Sequence, residues 1–273
     1  MKYNNEFKLI DTQEKAYFFG FMYGDGTITT YEEGNGRIRY LTKISISIDD
    51  SKMIQQLQKT FPFFNLGEFD YSKYNLNCKK QISISKSSKE LYYDLIGNGL
   101  FPRKSYENAN NLHMPDISDE LIPHFIRGFF DADGSVYRRA KRKNLITIEF
   151  CSVSKEILID INNYFISKNI ESWKIIEKKH VEGRQICYVL QIIKTSEILK
   201  CVELMYTNST ISLKRKSDKC LNYIPANRIL DKHMNCPYCN SNLIVRGGIR
   251  GKSTRYECKN CKKGFSLKNN VTI

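Results

Sequence analysis

Residues 18–28 read FFGFMYGDGTI, and residues 126–136, 108 positions later, read IRGFFDADGSV. Each is a largely apolar run with glycine at its third position, and each closes on Asp-Gly. A single Asp-Gly is a common turn. A repeated unit of apolar helix, Asp-Gly and strand calls for a shared purpose.

The similarity extends outward in the same order. Asp25-Gly26 is followed by TITTY, a basic turn region EEGNGRIR, the alternating run YLTKISISI and the helical stretch DDSKMIQQLQKTF. Asp133-Gly134 is followed by SVYRRAKRKN, LITIEFCSV and the helical SKEILIDINNYF. Further on, QISISKSSKELYYDLI answers VLQIIKTSEILKCVEL, and FPRKS around Lys104 answers LKRKS around Lys216. Five corresponding segments in one order mark an internal duplication. Each half predicts helix, two strands, helix, two strands, helix. In the strand at 43–48, Ile44, Ile46 and Ile48 share one face, and Lys43, Ser45 and Ser47 share the other. This pattern suits a sheet with one face on a helical core and the other open to a polar partner.

The two motif segments predict helices buried on every side. Asp11 with Glu14 offers an N-cap for the first, and Ser118 or Asp119 followed by Pro123 does so for the second. Gly20 and Gly24 lie four apart, as do Gly128 and Ala132; small residues at this spacing let two helix backbones approach closely. If the helices cross there, Asp25 and Asp133 meet at their C-terminal ends. Two carboxylates repel one another and also face the negative ends of two helix dipoles. A hard divalent cation of the Mg²⁺ or Mn²⁺ type, which takes oxygen ligands and shares them with phosphate, would relieve both costs.

The 273-residue chain carries 43 Lys or Arg against 29 Asp or Glu, a formal charge of +14, with a pI near 9.3. An excess of this size points to a polyanionic partner. With 41% hydrophobic residues the chain can bury a core, so wholesale disorder is excluded. No secretory signal or membrane-length apolar run is visible, so a soluble intracellular protein is expected. There is no P-loop, dinucleotide-binding glycine pattern or nucleophile elbow. The four histidines show no pair spacing. Trp173 and most tyrosines are expected to be packing residues.

The stretches FFGFMYGDG and IRGFFDADG resemble the two signature motifs of a monomeric LAGLIDADG homing endonuclease, and the repeat covers roughly residues 8–222. The resemblance implies an α+β fold of two pseudo-symmetric αββαββα halves. In that family the motif helices form the interface and the antiparallel sheets form a saddle on double-stranded DNA. It implies divalent metal at Asp25 and Asp133, with the small residues before them, Gly24 and Ala132, belonging to the metal site. The family's basic residue past the third helix would be Lys104 and Lys216, with Lys86 and Lys194 as the alternative pair. The strand-face residues expected to face a long asymmetric DNA site are Thr29, Tyr31, Lys43, Ser45, Ser47, Tyr137, Arg139, Lys141, Thr147 and Glu149. Arg139 could read guanine or hold phosphate. Where the second motif has Asp131 the first has Tyr23; that position is not the metal ligand. The chain begins at Met1 and ends NNVTI without a His-Asn splice ending, so no attached intein is expected.

Nine cysteines in a reducing compartment argue against a disulfide framework. Cys78, Cys151, Cys187, Cys201 and Cys220 are scattered. Cys236, Cys239, Cys258 and Cys261 form C-x₂-C-x₁₈-C-x₂-C, the spacing of a four-cysteine Zn²⁺ site. His233, close before Cys236, is not needed to complete it. Two short strands, LIVRGG and TRYEC, fit a zinc ribbon between the two pairs. From Lys232 to the end there are nine Lys or Arg and one Glu, so the tail is expected to touch DNA, or alternatively a protein. The organisation expected is a first repeat over 1–115, a second over 116–222, a linker over 223–232 and the ribbon over 233–273. The function expected is site-specific double-strand cleavage by a monomer. An intron maturase that binds intron RNA, or a non-cleaving regulator, would use the same scaffold.

Overall fold

The computed structural model describes residues 2–70, 79–106, 109–139, 142–172, 174–178, 185–223, 234–241, 244–250, 253–258 and 260–268. Cys78, Lys141, Trp173, His180, His233 and all of the linker after Tyr223 lie outside them. By packing, the chain divides into one unit of Met1–Tyr137 with Ile146–Cys220, and a second of Arg138–Leu145 with Leu221–Ile273.

The first repeat runs α1 (Gln13–Gly24), β1 (Gly26–Glu32), β2 (Ile38–Ser47), α2 (Ser51–Thr60), β3 (Asn65–Phe69), β4 (Gln81–Ser87) and α3 (Lys89–Gly97). The second runs α4 (Ile122–Asp133), β5 (Ser135–Arg139), β6 (Arg142–Ser152), α5 (Lys155–Ser167), β7 (Ile176–Glu177), β8 (Tyr188–Ile192) and α6 (Thr195–Tyr206). A further helix, α7 (Lys214–Leu221), follows α6. The sheets have the same strand order, β1-β2-β4-β3 and β5-β6-β8-β7. The mixed α/β architecture is therefore the αββαββα duplication expected from the motif repeat, with α7 added to the second copy.

Alternation along the strands sets the inner and outer faces. Ile44 lies opposite Ile84 and Ile46 opposite Ile82, while Lys43 faces Ser85 and Ser45 faces Ser83. The isoleucines at 44, 82 and 84 are buried and the serines half-exposed. The second sheet pairs Ile148 with Ile192 and Phe150 with Leu190, all four buried, in the same way.

Helix starts follow local polar chemistry. Thr12, Ser88 and Ser154 cap α1, α3 and α5, accepting from the N–H groups of Lys15, Leu91 and Ile157. Asp11 is not the α1 cap: its carboxylate lies 2.6 Å from the Lys15 ammonium, which draws it away from the helix end. Neither Ser118 nor Asp119 caps α4, which starts after Leu121 with Pro123 in its first turn, while Asp119 pairs with Lys168 at 2.6 Å.

Residues 16–23 of α1 are all buried, as are 125–131 of α4. Phe18, Phe19 and Phe21 are almost wholly enclosed, each contributing about 1.5–3 kcal/mol by leaving water. The two helices pack directly on each other. A Cβ placed on Gly20 would sit 2.9 Å from the backbone carbon of Phe125 and nitrogen of Phe129, and closer still to the Phe125 carbonyl oxygen. A Cβ on Gly128 would meet Tyr17 and Phe21 in the same manner, 2.9 Å from the Phe21 nitrogen. These contacts map onto each other under the 108-residue offset, so the crossing obeys the two-fold pseudo-symmetry of the sequence. One helical turn further, Gly24 abuts the side chains of Ala132 and Asp133.

Candidate active site

The crossing brings the two Asp-Gly acids together. Asp25 is the C-cap of α1 and Asp133 the last residue of α4. A Cβ on Gly24 would collide with the Ala132 side chain and lie 3.1 Å from the Asp133 carboxylate, so glycine there lets the two helix ends approach closely. Both carboxylates open to solvent at one edge yet have protein on their other sides. Loss of water pushes the Asp25 carboxyl up, against the pull of Lys216, Lys104 and Arg215. Asp133 is pushed up to about 6, first by desolvation and then by the charge of Asp25.

Two lysines balance these charges and also serve the helix ends. Lys216, in α7, donates to the carbonyls of Phe130 (2.8 Å), Asp131 (2.7 Å) and Ala132 (3.2 Å) at the C-terminal end of α4. Burial brings its ammonium down to about 8. Lys104 donates to the Gly26 carbonyl at 2.7 Å, and burial lowers it too. The pairing is crossed. The cation acting most strongly on Asp25 is Lys216 from the other repeat, and the one acting most on Asp133 is Lys104. The alternative pair lies elsewhere: Lys194 pairs with Glu171 at 2.5 Å, and Lys86 sits in β4 opposite Thr42.

Each acid lines its own cleft. That of Asp133, about 280 Å³, includes Gly24, Lys104, Cys151 and Ser152. That of Asp25, about 200 Å³, includes Ser45, Ser47, Asp50 and Arg215. Arg215 pairs with Asp50 at 2.9 Å across the repeats. The donor set fits a hard divalent cation: two carboxylates whose mutual repulsion raises one of them, with two ammonium groups supplying only part of the compensation.

Thr29, Lys43, Ser45, Ser47 and Arg139 are half-exposed, and Tyr31 and Tyr137 exposed. Thr147 and Glu149 depart from the expected open face, because both are buried. Glu149 accepts from Lys178 (2.8 Å), Gln191 (2.8 Å) and Tyr137 (3.2 Å), so its carboxylate is spent on orienting neighbours. Sequence reading missed Lys178, Gln191 and Arg215, which carry no motif and become neighbours only through strand pairing and helix packing. It also missed buried Arg127, which donates to the carbonyls of Met205 (2.7 Å) and Ile211 (2.9 Å). Its half-buried partner His124 is pushed down to about 4 by burial and by that guanidinium.

The tail forms a three-stranded sheet of β9 (Ile244–Arg250), β10 (Ser253–Cys258) and β11 (Gly264–Lys268), in the order β11-β10-β9. The third strand goes beyond the expected hairpin. The sulfurs of Cys236, Cys239, Cys258 and Cys261 all lie within 4.8 Å of one another. Two separations are 3.6 and 3.7 Å, against about 3.8 Å for a tetrahedral ion with Zn–S bonds of about 2.3 Å. Each CxxC closes with the same turn: Asn240 N–H donates to Cys236 and Lys262 N–H to Cys258, both at 2.9 Å. Asn240 and Lys262 take positive φ of 55° and 61°. Four thiols so gathered fit zinc.

Comparison with known proteins agrees with this geometry: residues 120–206 match the family described as LAGLIDADG-like domain. The second repeat is a LAGLIDADG-like domain. The LAGLIDADG meganuclease I-AabMI, solved bound to uncleaved DNA, superposes with a TM-score of 0.51 at 13% identity, over 76% of this chain and 89% of that one. A variant of I-DmoI, solved with its target DNA in the presence of Mn, superposes with a TM-score of 0.50 at 19% identity, over 73% of this chain and 96% of that one. The fold around Asp25 and Asp133 is therefore that of double-motif LAGLIDADG meganucleases. The chain is also 27% identical over 239 residues to a "Probable translation initiation factor IF-2" of Methanocaldococcus jannaschii. That match takes in 84% of this chain but only 17% of the relative's length. Among the described residues, no helix is long and apolar enough to cross a membrane.

Proposed function

We propose that the chain is a site-specific endonuclease that cuts both strands of DNA, one strand per LAGLIDADG motif. The observation that carries this reading is the meeting of Asp25 and Asp133 at the helix crossing, with Lys104 and Lys216 beside them. Pure binding gains nothing from two carboxylates next to phosphate, since each repels the ligand.

In this reading Asp25 and Asp133, with the backbone at Gly24 and Ala132, hold divalent metal (Mg²⁺ or Mn²⁺). The metal, when bound, supplies charge neutralisation at the scissile phosphate and acidifies water. Lys216 and Lys104 keep positive charge at the helix ends and hold the acids ionised. The half-exposed outer faces around Lys43, Ser45, Ser47, Tyr137 and Arg139 read the major groove, and Lys178, braced by Glu149, joins them. One chain brings both acids, so a monomer suffices. Residues 1–115 and 116–222 form the two repeats. Residues 223–232 connect them to a zinc ribbon over 233–273, which adds phosphate contacts.

The test is incubation of the full chain, with and without Mg²⁺, with a supercoiled plasmid carrying the uninterrupted DNA that flanks its reading frame. A linear product dependent on metal supports the reading. Tight DNA binding without cutting would make the chain a regulator, and preference for intron RNA would make it a maturase.

A further inference from the structure

The fourth residue before each Asp-Gly glycine, counted inclusively, differs between the repeats: it is Tyr23 in one and Asp131 in the other. Both are buried, at 2% and 1% exposure, each in the wall of one cleft: Tyr23 beside Asp133 and Asp131 beside Asp25. Each is fastened to the segment that delivers a lysine to the site, but with opposite hydrogen-bond polarity. The Tyr23 hydroxyl donates to the Gly99 carbonyl at 2.9 Å. Gly99 follows the α3 C-cap Asn98 with φ +95°, and its chain runs on to Lys104. The Asp131 carboxylate accepts from the Leu213 N–H at 2.6 Å, and Leu213 stands three residues before Lys216. Resting on the proposed endonuclease reading, we infer that Tyr23 and Asp131 are positioning residues, each setting the lysine of its own repeat and thereby the cutting of one particular strand.

The surroundings of the two anchors fit this assignment. One turn earlier on each helix stands its companion, Phe19 or Arg127. Phe19 packs on Tyr23 with ring centroids 5.1 Å apart, and the Tyr23 ring meets Phe125 edge-on at 5.0 Å, so the ring can point its hydroxyl only toward Gly99. On the other side Tyr17 donates to Asp131 at 2.9 Å and Tyr206 at 3.4 Å, while Arg127 holds the carbonyls of Met205 and Ile211. The second repeat thus pins the whole 205–213 connection with a polar pair, and the first pins 99 with an aromatic pair. Gly99 is also tied to Tyr23 sterically: a Cβ there would lie 3.1 Å from the Tyr23 oxygen. Lys104 lines the cleft of Asp133, and of the two motif acids Lys216 acts more on Asp25, so slackening one anchor should impair one acid more than the other.

The experiment uses the plasmid above, with each strand of the target labelled separately, under single-turnover conditions at saturating enzyme. Tyr23→Phe removes only a hydroxyl and should slow one strand by about tenfold, the worth of a buried hydrogen bond. Nicked plasmid would then accumulate. Asp131→Leu should slow the opposite strand at least as much and leave the complementary nick. Asp131→Asn, which keeps an acceptor for Leu213, should restore most of that rate. Plasmid binding by Tyr23→Phe should match wild type, so the loss appears in the cutting rate and not in affinity. If Asp131→Leu fails to fold, Tyr23→Phe and Gly99→Ala carry the test alone, both slowing the same strand. Equal slowing of the two strands, or unchanged rates in Tyr23→Phe, overturns the assignment. Failure of the wild-type chain to cut overturns instead the endonuclease reading on which it rests.

Discussion

Replacing Gly20 by alanine sets two well-known effects against each other. In a helix interior the exchange gains about 0.5–1 kcal/mol, because alanine loses less backbone freedom than glycine. Here the new methyl would press on backbone, 2.9 Å from the Phe125 carbon and the Phe129 nitrogen and closer to the Phe125 oxygen. Ordinary carbon contacts lie at about 3.5–4.0 Å, so α1 and α4 must part by more than half an ångström, with no flexible side chain to yield. Overpacking of this kind costs about 1–3 kcal/mol, and a backbone obstacle puts it at the upper end. The net loss expected is about 2 kcal/mol. For a unit of this size that is a fall in Tm of about 4–8 °C. Scanning calorimetry of Gly20→Ala, Gly128→Ala and the double variant measures it. The double should lose less than the sum, because the first methyl already separates the helices that the second would push apart. Gly97→Ala, in α3 with no atom near its Cβ position, is the control and should not lose stability. A Gly20→Ala protein that melts at or above wild type would refute the close crossing.

Asp25→Asn or Asp133→Asn should abolish linear product while DNA binding survives or tightens, as read by gel cleavage beside fluorescence anisotropy. The raised Asp133 pKa has a definite sign: the folded carboxyl holds its proton up to about 6, the unfolded one only to about 4. This group therefore lowers stability as pH rises from about 4 to 6, and the penalty is full above that. Mg²⁺ should accordingly raise Tm more at pH 7.5 than at pH 5, and Asp133→Asn should lose that rise. The chain should hold one zinc per molecule by elemental analysis, and Cys258→Ser should release it. Removing residues 232–273 should leave cutting at low salt but weaken binding at physiological salt, with a log–log salt slope shallower by about 0.9 per lost phosphate contact.

Much of this architecture could be read from the chain because periodicity and identity carried it. The small residues at 20, 24, 128 and 132 announce a close crossing, and the cysteine spacing announces a tetrahedral site. Both depend on contacts whose geometry follows from helix pitch or a tight turn. What escaped reading depends on competition or on distance. Asp11 is as good a cap as Thr12 by type, and only the nearby Lys15 ammonium decides between them. Glu149 alternates correctly for an open face, yet Lys178, just past β7, and Gln191, in β8, close over it from far along the chain. Asp131 looked like a spare acid next to the ligand, and its tie to Leu213 spans 82 residues. No local pattern encodes such a tie.

The crossed service of the acids has a genetic consequence. If Asp25 works with Lys216 and Asp133 with Lys104, neither repeat owns a complete catalytic set. Two lesions in the same repeat, at Asp25 and Lys104, then spoil both cutting centres. Two lesions in different repeats, at Asp25 and Lys216, fall on one centre and spare the other. Inheritance of function thus runs diagonally across the duplication, and a gene conversion that overwrote one half with the other would alter one member of each centre.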